Sequence, residues 1–234
     1  MARELEKVST ARRAACELIG ATYLLVAIVG SGIMAERLSE GNNAIALLAN
    51  SLATGAALAA LILAFGPISG AHFNPVVSLA AASGAGITWR DVPAYLIAQI
   101  AGVFIGVACA NSMFGLPLFF ASTHARAGWA QVFSEFIATF GLITVIWSCR
   151  QFRPAAGPYA VGAYIMAAYW FTSSTSFANP AVTIARAATD TFAGIRPSDV
   201  PGFIAAQFGG AAAATAFVRW LGRPALREKR FPIK

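Results

Sequence analysis

Charged side chains are scarce in this sequence. Only 12% of its 234 residues are charged, 58% are hydrophobic, and the mean hydropathy is +0.66. A soluble domain of this size carries about twice that proportion of charge. The three cysteines have no paired spacing, so neither a disulfide framework nor a zinc site is expected. The composition therefore excludes an ordinary soluble domain and predicts an integral membrane protein.

The features of catalytic and cofactor-binding sites are missing as well. The sequence contains two histidines, no cluster of metal ligands, no phosphate-binding glycine loop and no nucleophile with a partner base. We therefore expect no enzyme activity, no cofactor and no bound metal.

Long hydrophobic runs, in contrast, are frequent. Six windows are long enough to cross about 30 Å of hydrocarbon. They cover approximately residues 12–34, 44–65, 92–112, 130–149, 156–173 and 199–221. The sequence therefore predicts a multi-pass protein whose partner is the lipid bilayer.

The net charge of +7 follows the topology of such a protein. With both termini in the cytoplasm, all but four of the 17 lysines and arginines fall on the cytoplasmic side, as the positive-inside rule requires. The four exceptions are Arg37, Arg126, Arg186 and Arg196. The basic segment 227–230 is then explained by topology and by contact with lipid headgroups, without any nucleic acid. We expect the inner (plasma) membrane as the location.

Two matched triplets mark interrupted segments. Asn74-Pro75-Val76 and Asn179-Pro180-Ala181 lie 105 residues apart, and each opens an apolar stretch too short to cross a bilayer. Asparagine is a favoured N-cap and proline is tolerated at the first helical position. Short helices are therefore expected at about 74–83 and 179–189.

An internal duplication predicts how these segments are arranged. Residues 85–99 recur as a similar pattern at 193–207. Three spans in each half is an odd number, so the halves are expected to insert with opposite orientation and to bring both short helices to the midplane, N-terminus to N-terminus. We expect one channel domain over 1–234, with repeat one at about 12–112 and repeat two at about 130–221.

The loops before the triplets should then line a pore. Irregular backbone within a membrane is tolerated only where protein or cavity water satisfies it. The expected pore-lining residues are Gly70, Ala71 and His72 in the first loop and Thr175, Ser176 and Phe177 in the second. Two helix N-termini at about 4 Å cost a cation about 4 kcal/mol at an effective dielectric near 20, whereas a neutral solute is not repelled.

These features resemble the aquaporin, or major intrinsic protein, family over about residues 10–222. The resemblance rests on both triplets, the SGAHFNP lead at 69–75, and one glutamate early in each half. It implies an all-α membrane protein with six transmembrane helices and two re-entrant half-helices, one pore per subunit of a homotetramer, and passive conduction of water or small neutral solutes. It also implies that Glu17 and Glu135 support the re-entrant loops by accepting their amide protons.

The resemblance also identifies the expected selectivity filter. Water-selective members carry arginine directly after the second triplet, and here this residue is Val182. The family spacing places the other ring positions at Thr54, Ala167 and Ser176. Because all four are uncharged and none is large, a wider and less polar filter is expected. The run at 179–195 resembles a bacterial subgroup associated with arsenic detoxification, which implies conduction of glycerol-like polyols, arsenous acid and methylated arsenicals.

Several alternatives remain open from the sequence. A water-selective channel, an ion-coupled secondary transporter that uses the two glutamates, and a scaffolding membrane protein are the competing functions. Arg186, one turn beyond Val182, either reaches over the pore as a donor or supports the end of its helix. Asn50 either faces the outer mouth or forms a hydrogen bond between helices. Phe177 either narrows the lumen or points into packing.

Overall fold

The computed structural model describes residues 8–84 and 86–222 and consists of helices joined by loops, without strands in these ranges. The α-helices are α1 (Thr10–Leu38), α2 (Asn43–Ser69), α3 (Pro75–Ser83), α4 (Val92–Met113), α5 (Trp129–Phe152), α6 (Gly157–Phe171), α7 (Pro180–Arg186) and α8 (Val200–Gly222). Short 3-10 turns at Pro154–Ala156 and Pro197–Asp199 precede α6 and α8. The basic segment 227–230 lies outside the described residues.

Five helices are long and apolar enough to cross a membrane, namely α1, α2, α4, α5 and α8 with its preceding turn. The sixth, α6, has 15 residues and continues from the turn at Pro154–Ala156. The six predicted windows match these helices to within about one helical turn. The all-α fold with short helices between the long ones is therefore confirmed.

The two short helices begin where the triplets predict. Asn74 caps α3 by accepting a hydrogen bond from the backbone N–H of Val76 at 3.1 Å. Asn179 caps α7 by accepting from Ala181 N at 3.0 Å and Val182 N at 3.3 Å. Helix α7 ends at Arg186, three residues before the predicted end, because the following backbone N–H groups bond to carbonyls three residues back.

Close helix pairs hold the bundle together in the same way in each half. Helix α1 packs against α4, and α5 packs against α8. A Cβ atom at Gly102 of α4 would lie 2.3 Å from the carbonyl oxygen of Leu18, and one at Gly210 of α8 would lie 2.4 Å from that of Phe136. Only glycine permits these approaches, which bring the backbones of the paired helices into contact.

Candidate functional site

A central cavity of about 510 Å³ lies between the two halves of the bundle. Both asparagine caps, Asn74 and Asn179, are on its wall. Arg150, near the end of α5, and Arg186, at the end of α7, also line it. The cavity therefore extends past the meeting point of the two short helices in both directions.

The two asparagines cross-link the loops at the centre of the cavity. Asn74 Nδ2 donates to the carbonyl oxygen of Ala178 at 2.8 Å, and Asn179 Nδ2 donates to that of Phe73 at 2.8 Å. A primary amide carries two N–H donors, so each asparagine retains one more. The remaining triplet residues are buried but do not line the cavity; they are Pro75, Val76, Pro180 and Ala181.

Both loops carry the same pattern of left-handed backbone. Positive φ values recur at three positions of each loop, 105 residues apart: Gly70 (88°), Ala71 (49°) and Phe73 (49°), then Thr175 (61°), Ser176 (50°) and Ala178 (48°). Five of these residues are not glycine, and each left-handed position of that kind costs on the order of 1–3 kcal/mol. Such a backbone persists only where the surrounding structure holds it firmly.

In the first half, Glu17 holds the loop. Its Oε1 accepts from Ser69 Oγ at 2.7 Å and from His72 N at 2.9 Å, and its Oε2 accepts from Phe73 N at 2.7 Å. Gln99 Nε2 donates to the same Oε2 at 2.8 Å. Both carboxylate oxygens are thus occupied by the loop and a neighbouring helix.

In the second half, Glu135 makes the same contacts. Its Oε1 accepts from Ser174 Oγ at 2.6 Å and Phe177 N at 2.9 Å, and its Oε2 accepts from Ala178 N at 2.9 Å and Gln207 Nε2 at 2.6 Å. Neither Glu17 nor Glu135 lines the cavity. The geometry is that of loop supports.

Three of the four predicted filter residues lie on the cavity wall. They are Thr54, Ser176 and Val182, each about 2% exposed. The hydroxyl oxygen of Ser176 has no hydrogen-bond partner among the described residues. These three residues therefore contribute one apolar side chain and two hydroxyls to the wall.

The prediction for Ala167 is wrong. Ala167 is exposed on the outer surface of α6, and the residues of this helix that line the cavity here are Ile165 and Tyr169. These two are four residues apart and share a helix face, whereas residue 167 points to the opposite side. Tyr169 donates through its hydroxyl to Thr54 Oγ1 at 3.3 Å, so a phenol occupies the predicted alanine position in the filter.

Asn50 does not line the cavity, so of its two alternatives the position at the outer mouth is not the one found. Its Nδ2 donates to the carbonyl oxygen of Ile28 and to Ser31 Oγ, both at 2.8 Å. The interhelical hydrogen bond, the other alternative, is what the structure contains. A buried amide is satisfied by the neighbouring helix more cheaply than by leaving donors unpaired.

The loop residues divide between cavity and packing. Gly70, Ala71, His72, Ser176 and Phe177 line the cavity, as does Ala178, which the sequence did not suggest. Thr175 does not line it, contrary to expectation. Its hydroxyl instead accepts a hydrogen bond from Arg126 Nη1 at 3.3 Å, which turns this residue towards the loop between the halves.

Two arginines lie over the ring of Phe177. The Cζ atom of Arg186 is 3.4 Å from the ring centroid and that of Arg126 is 5.1 Å from it. Phe177 also packs edge-on against Phe203, with centroids 5.2 Å apart. Its ring therefore belongs both to the packed interior and to the cavity wall. Arg186 Nε donates to the carbonyl oxygen of Ala193 while the residue lines the cavity.

Arg126 is a residue of the site that the sequence did not predict. It lies between α4 and α5, and its guanidinium donates to Gly194 O at 2.7 Å, Ser174 O at 3.2 Å and Phe192 O at 3.3 Å. Burial lowers the pKa of Arg126 to about 10, so it remains charged at neutral pH. A single arginine in a long connection carries no sequence signal that predicts such contacts.

The chain is similar in sequence to proteins named aquaporins and aquaglyceroporins. A family profile described as Major intrinsic protein matches residues 4–172. The chain is 51% identical over 221 residues to aquaglyceroporin AqpS of Rhizobium meliloti (strain 1021), which covers 94% of each protein. It is 32% identical over 211 residues to aquaporin NIP1-4 of Oryza sativa subsp. japonica, which covers 84% of this chain and 72% of that protein.

A solved structure shares the fold. The X-ray structure of the aquaglyceroporin from Plasmodium falciparum matches with a TM-score of 0.70 and 22% sequence identity. The match covers 89% of this chain and 95% of that chain. At this identity the similarity concerns the arrangement of helices and not the side chains of the filter.

Proposed function

The chain belongs to the major intrinsic protein family, and from this membership we propose that it conducts glycerol-sized neutral solutes, including arsenous acid and methylated arsenicals, besides water. Members of this family are channels and not enzymes, and the chain is a membrane channel for small neutral solutes. We further propose one pore per subunit of a homotetramer in the plasma membrane, with both termini cytoplasmic and two inverted repeats in one domain.

Val182 on the cavity wall is the observation that carries the proposal. It lines the same cavity as Thr54 and Ser176 without adding charge or a long side chain. Hydroxyl groups on the wall and the free N–H of each asparagine suit a solute that both donates and accepts hydrogen bonds. Polyols and uncharged arsenous acid have that chemistry.

A water-selective channel is the second candidate. Phe177, Tyr169 and Arg186 all line the cavity, and Tyr169 does so in place of the smaller Ala167 that the sequence predicted. Bulky side chains at the constriction narrow the lumen. The relative permeability to glycerol and water therefore decides between the two candidates.

The ion-coupled transporter loses its support. It required Glu17 and Glu135 as coupling groups facing the lumen. Each carboxylate instead accepts four hydrogen bonds from a loop and a neighbouring helix, and neither lines the cavity. Flux that is independent of sodium and proton gradients is the expected result.

The decisive experiment is stopped-flow permeation in proteoliposomes, with Val182→Arg compared to wild type. We expect Val182→Arg to reduce glycerol and arsenous acid flux by about tenfold or more, equivalent to about 1.4 kcal/mol of barrier, and to reduce water flux much less. The reason is that a long charged side chain narrows the throat for larger solutes first.

Val182→Met is the matched control because it lengthens the side chain without charge. It should leave all three fluxes within about threefold of wild type, a difference below about 1 kcal/mol. Equal loss of all three fluxes in Val182→Arg would contradict the filter assignment. Wild-type protein that conducts water but excludes glycerol would establish the second candidate.

A further inference from the structure

We propose that Arg186, positioned by Phe177 and Arg126, is the cation barrier of the outer throat. The outer throat is the part of the cavity wall formed by Thr54, Ser176, Phe177, Val182 and Arg186. This inference rests on the proposed channel function, since it concerns what the same pore rejects. It assigns the fixed positive charge of the filter to a residue one helical turn beyond Val182.

The hydrogen bonds of the two arginines differ in a way that separates their roles. Arg126 uses all three guanidinium nitrogens on four oxygen acceptors of the surrounding loops. Arg186 uses only Nε, on the carbonyl oxygen of Ala193, and its two terminal nitrogens have no partner among residues 8–84 and 86–222. Arg126 is therefore a positioning residue, whereas Arg186 keeps donors available at the cavity wall.

Phe177 fixes where the free end of Arg186 lies. The guanidinium carbon is 3.4 Å from the ring centroid, well within the range of a cation–π contact. The ring in turn packs against Ile195 and Phe203, which are fully buried. The guanidinium of Arg186 is thus fixed by the carbonyl of Ala193 and by the packed ring of Phe177. It has little freedom to leave the throat.

The local charge balance is positive. The neighbouring carboxylates already accept hydrogen bonds from other groups. Glu135 accepts from Ser174, Gln207 and the loop amides, and Asp199 accepts from the backbone N–H of Arg126 and from the guanidinium of Arg196. Asp190 accepts from Thr123 and not from either arginine. Neither guanidinium forms an ion pair among the described residues, so the two positive charges over one ring repel a cation entering the throat.

The same groups remain suited to a neutral solute. Ser176 is 2% exposed, lines the throat, and has a hydroxyl oxygen without a partner among the described residues. Together with the terminal nitrogens of Arg186, it offers hydrogen bonds to a passing hydroxyl group. A neutral polyol can replace its water here, whereas a proton or metal cation meets a fixed positive charge.

The test measures proton leak and glycerol flux in proteoliposomes loaded with a pH-sensitive dye. We expect Arg186→Leu to raise proton conductance by about tenfold or more while glycerol flux is kept or increased. Arg186→Lys keeps the charge and should stay near wild type. Arg196→Leu is the matched control, because Arg196 lies on the same side of the protein, is exposed, and does not line the cavity.

Two further variants keep the test decisive. Arg186→Gln retains hydrogen bonding without charge, so it should leak protons as Arg186→Leu does even if the leucine variant folds poorly. Adding Val182→Arg to Arg186→Leu should restore the low leak, because it returns a positive charge to the throat.

Wild-type leak in both uncharged variants, with glycerol flux retained, would overturn the assignment. So would a uniform loss of all fluxes in every Arg186 variant, including lysine, since that indicates a purely structural role. Failure of the proposed function is a separate result, seen as absence of glycerol flux in wild type, and the leak comparison still reports on Arg186.

Discussion

The two halves of the molecule share one backbone frame but differ in the side chains placed on it. Glu17 and Glu135 hold their loops with the same four hydrogen bonds, and left-handed residues recur at the same positions. At position 72 of the first loop stands a histidine whose Nδ1 is 3.0 Å from Ser78 Oγ. At the equivalent position 177 stands a phenylalanine covered by two arginines.

The difference supports the proposal that the second half carries discrimination. The first loop turns Phe73 into the interior, where it is fully buried against α1, and the second has the small Ala178 at that place. Both loops reach the cavity, but the first places Ala71 and His72 on its wall and the second places Ser176 and Phe177 there. Both halves contain the glutamate support because both loops carry the same left-handed backbone. Selectivity, in contrast, requires only one constriction.

The largest effect is expected from the shared frame. Glu17→Gln and Glu135→Gln each place an amide N–H₂ against donors and leave at least one buried N–H unpaired. We expect a loss of about 2–5 kcal/mol of stability in either half, with loss of solute flux. Thermal unfolding in detergent measures it, with the exposed Glu36→Gln of α1 as control. If only one of the two variants lost stability, the two glutamates would not be equivalent supports.

An intermediate loss of stability is expected at Gly20, where the two halves differ. A Cβ atom there would lie 1.9 Å from the ring of Phe73, so Gly20→Ala should destabilise the protein by about 1–3 kcal/mol. The corresponding position in the second half, Ala138, already carries a methyl group and belongs to the same cluster as Ala178. Gly66→Ala, whose nearest neighbour is 4.0 Å away, is the control for thermal unfolding. Equal unfolding temperatures in both variants would contradict the close contact.

The smallest effect concerns the acid sensitivity of the two ends. Burial alone would raise the pKa of Asp91, but hydrogen bonds from Thr88 and Thr10 and the charge of Arg13 outweigh it, so this pKa lies below its usual value. At the opposite end of the bundle, the pKa of Asp190 is lowered chiefly by the backbone N–H of Thr123.

A carboxylate with a lowered folded-state pKa stabilises the fold above its unfolded pKa, and this contribution is lost as the pH falls below about 4. The fall in unfolding temperature between neutral and acid pH should therefore be smaller by a few degrees in Asp91→Asn and Asp190→Asn than in wild type. The difference should be larger for Asp91 because it is buried and ion-paired. Acid profiles identical to wild type in both variants would contradict these contacts.

Much of the site could be predicted because its signals are local. The two asparagine-proline triplets favour capped helix starts, and the internal duplication predicts two of them. Ala167 shows where this fails, because its assignment depended on counting along a loop and not on the face of α6 that meets the cavity. Arg126 could not be found, since its acceptors are loop carbonyls far away in sequence.

The sequence by itself determined the membrane location, the helix count and the paired loops, because hydrophobic length, capping and duplication are properties of neighbouring residues. Only the tertiary structure decided that Tyr169 faces the cavity, that Asn50 serves packing, and that Arg186 and Arg126 meet over Phe177. Those outcomes depend on helix rotation and on contacts between distant segments, and neither is written in the spacing of residues along the chain.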